Sequence, residues 1–177
     1  MRMSQCGPER EACEIATACP RCGVEGHEVG RETVGAMATL AVPARSLRHK
    51  QYRYCGTPSC PVVYYGGDGV VLHQSEVRVP VNAKDAGPDV PLCYCFGHTR
   101  RSIAEEIAAH GRSTTSAVIA REIKAGHCAC EVKNPSGRCC LGDVRSYERE
   151  TAPERTGART SIAGSSVTPK PGSDGLH

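Results

Sequence analysis

The chain contains no tryptophan and a single phenylalanine among its 177 residues, so large aromatic anchors for a hydrophobic core are scarce. Its only methionines are Met1, Met3 and Met37, which excludes a methionine-rich site for a soft cation. No stretch approaches the roughly 20 consecutive apolar residues of a membrane-spanning helix. The opening segment, MRMSQCGPEREACEIATACP, holds no apolar run suited to a signal peptide. Also missing are a Ser-His-Asp order, a phosphate-cradling glycine loop and an H-E-x-x-H helix, so nothing supports hydrolase or kinase chemistry. The adjacent Glu105 and Glu106 read as a solvated helix face rather than an acid–base couple.

Sulfur and glycine are plentiful by contrast, with 12 cysteines and 19 glycines. A small chain short of core material leans on disulfides or metals. Without an export signal the expected location is cytoplasmic, where thiols stay reduced, so dense cysteine points to metal binding before disulfides. The formal charge is +3. One tetrathiolate zinc site and one oxidised [2Fe–2S] site would each carry about −2, bringing the loaded protein to about −1. Arg45, Arg48, His49, Lys50 and Arg53 form only a small basic group, so neither a nucleic-acid partner nor membrane insertion is expected.

Composition divides the chain into a polar leader (1–18, with Cys6 and Cys13), a Cys- and Gly-punctuated segment (19–81) and a Gly/Pro linker (82–91). A second cysteine-rich segment (92–145) and a Ser/Thr/Gly/Pro-rich tail (146–177) that should be disordered complete it. In the first segment, 51–54, 61–65 and 70–72 are short and rich in β-branched and aromatic residues, and Gly66-Gly67-Asp68-Gly69 supplies a hairpin turn. Val77, Val79 and Val81 alternate as one more strand would. In the second, Ile103 and Ile107 with Thr99 or Ser102 as cap and Gly111 as stop predict a helix over 100–110. Val118, Ile119 and Ile123 before Gly126 predict another from Ser113 or Thr114 to Ala125. The fold class is therefore α+β, with a small β-rich zinc-ribbon-like subdomain followed by a helical module.

Cys19-Pro20-Arg21-Cys22 and Cys55-Gly56-Thr57-Pro58-Ser59-Cys60 pair a C-x2-C with a C-x4-C knuckle across 32 residues. Four thiolates in a closed tetrahedral site suit a structural Zn2+ ion, and His27 and His49 are then surplus. Cys93-Tyr94-Cys95 is separated by another 32 residues from Cys128-Ala129-Cys130, with Cys139-Cys140 beyond. Two short helices between these groups can fold back and return Cys128 toward Cys95. Each iron of a [2Fe–2S] cluster takes two protein sulfurs, and this arrangement offers them. Cys93 and Cys95 are the expected ligands, with one of Cys128 or Cys130 and one of Cys139 or Cys140; adjacent Cys139 and Cys140 should point apart.

At Cys93-Tyr94-Cys95-Phe96-Gly97-His98-Thr99 and from Gly126 to Asp143, through His127-Cys128-Ala129-Cys130 and Asn134-Pro135-Ser136-Gly137-Arg138-Cys139-Cys140, the chain resembles the N-terminal domain of CopZ-type copper chaperones. The resemblance covers about residues 19–145. It implies a mononuclear zinc and a [2Fe–2S] cluster, the latter in a module similar to bacterioferritin-associated ferredoxin. That family shows C-x-C followed by C-x-x-C, whereas Cys130 here sits one residue early. Full-length CopZ-type proteins continue into a copper-binding domain with a G-M-x-C-x-x-C loop, a motif this chain does not contain.

The resemblance thus implies a metal-handling or electron-transfer protein rather than a conventional enzyme. It also implies reduction of Cu(II) to Cu(I), or similar treatment of another thiophilic ion, beside a copper chaperone or copper-transporting ATPase. Cys6, Cys13 and the two late cysteines left over are candidate transient Cu+ ligands. The competing readings are a ferredoxin-like electron carrier for a reductase or an iron-storage partner, and a zinc-only binding module.

Overall fold

A computed structural model describes residues 16–153; Cys6 and Cys13, with most of the expected tail, lie outside the described residues. The first half is a four-stranded antiparallel meander of β1 (His27–Gly30), β2 (Gln51–Tyr54), β3 (Val62–Tyr65) and β4 (Val71–His73), in that spatial order. The turn between β3 and β4 needs a left-handed backbone at Asp68 (φ 54°) and Gly69 (φ 72°), which is why the Gly-rich run stands there.

Aromatic scarcity misjudges this core. Tyr52, Tyr54, Tyr64 and Tyr65 are all buried and supply the anchors that Trp and Phe do not. Each ring buries apolar surface while its hydroxyl needs a partner. Tyr52 donates to Ser46 O at 2.7 Å and Tyr64 to Pro135 O at 2.6 Å.

A helix absent from the sequence reading, α1 (Arg31–Met37), follows β1 directly and buries Thr33, Val34 and Met37. The alternating valines do not make a strand. A 3-10 turn occupies Gln74–Glu76, and Val77 forms only an isolated bridge with Ala38. Pro80 has no N–H to give a ladder, yet Val77 and Val81 are still buried in the sheet's core.

The second half opens with a two-stranded hairpin, β5 (Pro91–Cys93) and β6 (His98–Thr99). It continues through α2 (Arg100–His110), α3 (Thr115–Lys124), the one-turn α4 (Cys130–Lys133) and α5 (Leu141–Thr151). Thr99 and Ser102 cap α2 reciprocally, each side chain accepting the other's backbone N–H at 3.1 Å. Gly111, at φ 69°, ends that helix. Six residues assigned to the tail, 146–151, are instead helical. The reason is tertiary: Val144 of α5 is fully buried, and Glu148 accepts the N–H of Ser116 at the start of α3 at 2.9 Å.

Leu92, Ile103, Ile107, Ile119 and Val144 form an apolar shell around Cys93, Cys130 and Cys140. Among the described residues no helix is long and apolar enough to cross a membrane.

Candidate metal centres

The first thiol group sits where two knuckles meet at one end of the sheet. In the first, Gly23 takes φ 72° and its N–H reaches Cys19 O at 2.9 Å, while Cys19 N–H donates to Val24 O at 2.9 Å. In the second, Cys60 N–H donates to Thr57 O at 3.1 Å, and Cys55 is tied to β3 through Val63 O at 2.9 Å. These turns bring the sulfurs of Cys19, Cys22, Cys55 and Cys60 within 4.8 Å of one another. Cys19 and Cys60 are 3.9 Å apart, and Cys22 and Cys55 3.7 Å. Two thiolates held about 2.3 Å from a tetrahedral zinc would be separated by about 3.8 Å, so this donor set fits zinc.

The protons on these thiols are unevenly held. The Thr57 hydroxyl, 3.5 Å from Cys22 Sγ, is the largest influence bringing that thiol down to about 6, whereas burial pushes Cys60 up to about 12. Lys84, from the 82–91 segment, donates its ammonium to Thr57 O at 2.9 Å and Cys60 O at 2.8 Å. It thereby places a positive charge beside the group.

Neither nearby histidine joins it. His27 Nε2 donates to Ser136 O at 2.8 Å, and His49 Nε2 lies 3.9 Å from Asp68.

The second group is assembled from four places. Gly97, at φ 73°, turns the β5–β6 hairpin and donates to Cys93 O at 2.9 Å, setting Cys93 and Cys95 at its tip. After α3, Gly126 at φ 79° reverses the chain into Cys128. Cys130 begins α4, and Cys140 stands at the N-terminus of α5. Cys95 Sγ lies 3.9 Å from Cys128 Sγ and 3.6 Å from Cys130 Sγ, and Cys128 and Cys130 are 3.3 Å apart. Cys140 is buried in the same cluster as Cys93 and Cys130.

Cys95, Cys128 and Cys130 thus place their sulfurs within 4.8 Å of one another, and Cys93 and Cys140 pack in the same cluster, so five cysteines gather there. Cys139 is exposed and points away from its neighbour. The hydrogen bond with Cys140 is the main influence bringing Cys130 down to about 5 and Cys93 to about 7, while those same two bonds push Cys140 far up. Burial raises Cys95 to about 12.

The Asn-Pro-Ser-Gly turn between Cys130 and Cys140 docks on the sheet of the first half. Pro135 O accepts from Tyr64 and Ser136 O from His27. Asn134, buried, binds Arg138 O at 2.7 Å and accepts Ser136 N–H at 3.0 Å. A Cβ on Gly137 would meet Thr33 Oγ1 at 3.1 Å and would sit on a φ of +66°, so glycine is required twice over. The turn signal was legible in the sequence; the surface that receives it was not.

Comparison with known proteins agrees with this architecture. Residues 16–78 match the CopZ-type family described as a zinc binding domain. The copper chaperone CopZ of Archaeoglobus fulgidus is 31% identical over 123 residues, covering 69% of this chain and 57% of that protein. The chain thus spans rather more than half the length of that relative. The X-ray structure of the A. fulgidus CopZ N-terminal domain superposes with a TM-score of 0.60 at 29% identity, over 73% of this chain and 95% of that domain. In sequence and fold the chain is CopZ-like, and its residues 16–78 resemble a zinc binding domain.

Proposed function

We propose that this is a zinc- and [2Fe–2S]-containing redox protein of copper homeostasis that gives one electron to Cu(II), releasing copper as Cu(I). The observation that carries the reading is the gathering of five thiols inside an apolar shell, beside a separate four-thiol group with tetrahedral spacing. A lone structural ion explains the four; it does not explain the five.

Zinc belongs with Cys19, Cys22, Cys55 and Cys60 in the 19–81 segment, and the cluster with the 92–145 segment. There Cys93 and Cys140 supply one pair of sulfurs, and Cys95 with one of Cys128 or Cys130 supplies the other. When bound, an all-cysteine [2Fe–2S] cluster supplies single electrons at a potential around −400 mV for plant-type examples, low enough for Cu(II). The chain's own residues hold the sulfurs in pairs. Leu92, Ile103, Ile107, Ile119 and Val144 exclude water around the buried Cys93, Cys130 and Cys140. Reduced copper is thiophilic, which suits a copper chaperone or copper-transporting ATPase as the downstream partner and a reductase upstream, in the cytoplasm.

Anaerobically purified protein should be red-brown, contain one zinc, two irons and inorganic sulfide per chain, and show a paramagnetic signal only after dithionite reduction. Mixing the reduced protein with Cu(II) should remove that signal one-for-one. A colourless protein without sulfide would leave a zinc-only module; an intact cluster indifferent to Cu(II) would leave an electron carrier for another partner.

A further inference from the structure

A [2Fe–2S] cluster uses four protein sulfurs, and among the described residues five converge. Resting on the cluster assignment above, we infer that Cys93, Cys95, Cys130 and Cys140 hold the cluster and that Cys128 is a docking thiol for a thiophilic cation, Cu(I) in the first instance.

Position separates Cys128 from Cys130. Cys130 is 7% exposed, packs in the same buried cluster as Cys93 and Cys140 and lies 3.6 Å from Cys95 Sγ, so it links those two to Cys95. Cys128 is only half-buried and lies on the segment leading out of α3, at the rim of the group. Its sulfur neighbours are Cys130 at 3.3 Å and Cys95 at 3.9 Å.

The Cys95–Cys128 separation of 3.9 Å is what two sulfurs sharing one soft ion show, about 3.8 Å on tetrahedral zinc and somewhat more at wider ligand angles, while Cys130 stands closer still to Cys128. Thiolate sulfur keeps lone pairs after binding one metal. An ion on Cys128 can therefore also lean on the sulfur of Cys130 or Cys95, which gives Cu(I) two soft donors. The rim position brings the copper next to the electron donor. The step balances: Cu(II) gains one electron and becomes Cu(I) while the reduced protein loses one, and docking on Cys128 forms a Cu–S bond as the thiol's proton leaves to solvent.

The test compares full-length wild type, Cys128→Ser and Cys139→Ser, each purified without oxygen and assayed for zinc, iron, sulfide and visible spectrum. Each is then titrated with Cu(I) against a chromophoric Cu(I) chelator. Cys128→Ser should keep two irons and an unchanged spectrum yet bind Cu(I) at least tenfold more weakly, with Cys139→Ser like wild type in both respects.

Loss of iron from Cys128→Ser would make Cys128 a cluster ligand and overturn the proposal. So would a full cluster with unaltered Cu(I) affinity, or an equal loss of affinity in Cys139→Ser. Wild type lacking iron and sulfide would instead sink the cluster assignment itself, and this inference with it.

Discussion

Single side chains do much of the joining in this protein. The Tyr64 hydroxyl donates to Pro135 O from within a buried ring. Removing that donor leaves a carbonyl unpaired without creating a cavity, a loss of about 1–3 kcal/mol. Tyr64→Phe should therefore lower the stability of the metal-loaded protein by that amount in a chemical denaturation series, with zinc content unchanged.

Glu106 plays the same part between α2 and α3. Its carboxylate accepts from Thr114 Oγ1 at 2.6 Å and N at 2.9 Å, from Ser113 Oγ at 2.7 Å and from Thr115 Oγ1 at 3.0 Å. Led by the Thr114 hydroxyl, these bonds bring its carboxyl down to about 2. A carboxylate whose folded value is depressed stabilises the fold above its ordinary value, near 4.5, and loses that contribution as the pH falls toward 2. Wild type should therefore melt above Glu106→Gln at pH 7, with the gap narrowing by pH 3; a gap independent of pH would refute the assignment. The sequence reading had this carboxylate as solvated surface. Its partners lie seven to nine positions ahead, beyond the reach of helix periodicity.

At the level of elements, the parts written into local chemistry were legible and the parts set by docking were not. The knuckles announce themselves by spacing, and α2 by Thr99, Ser102 and Gly111, all of which satisfy backbone groups close in sequence. The helix α1, RETVGAM, contains Thr33, Val34 and Gly35, poor helix formers. It exists because Val34 and Met37 pack into the sheet's core and its side meets α4. Cysteine spacing likewise told which segments converge, but not that Cys128 and Cys130 both arrive or that Cys139 turns out.

The 82–91 segment shows the same limit. It reads as a Gly/Pro linker, yet Lys84 binds the second knuckle, and Arg100 at the start of α2 donates to Asn82 O at 3.0 Å and Asp85 O at 3.0 Å. Lys84→Met keeps the aliphatic stem and removes both hydrogen bonds and the charge beside the four thiols. Zinc transfer to a chromophoric chelator should accelerate severalfold, and an unchanged rate would show that the ammonium does not steady the knuckle.

The described molecule holds a tyrosine- and valine-rich sheet core and two further clusters organised around sulfur. Zinc at the first group would tie residues 19–22 to residues 55–60, and binding energy of this kind is folding energy. Removing zinc with a chelator should lower the melting temperature by at least about 10 °C, followed by calorimetry alongside metal analysis. Because the turn carrying Cys130 and Cys140 rests on Tyr64 and His27, a Cys60→Ser variant should also release iron faster than wild type to an iron chelator. Equal iron release would show that the two centres are energetically independent.

That docked turn also bears on how the protein can be dissected. A helical fragment cut free at 82–91 would carry all five converging sulfurs but would strand Pro135 O and Ser136 O without their donors and uncover Gly137 where it now lies against Thr33. Such a piece, however complete its ligand count, would be a poor stand-in for the intact chain, because the scaffold that positions two of its sulfurs is encoded 71 and 109 residues upstream, in the half that was discarded.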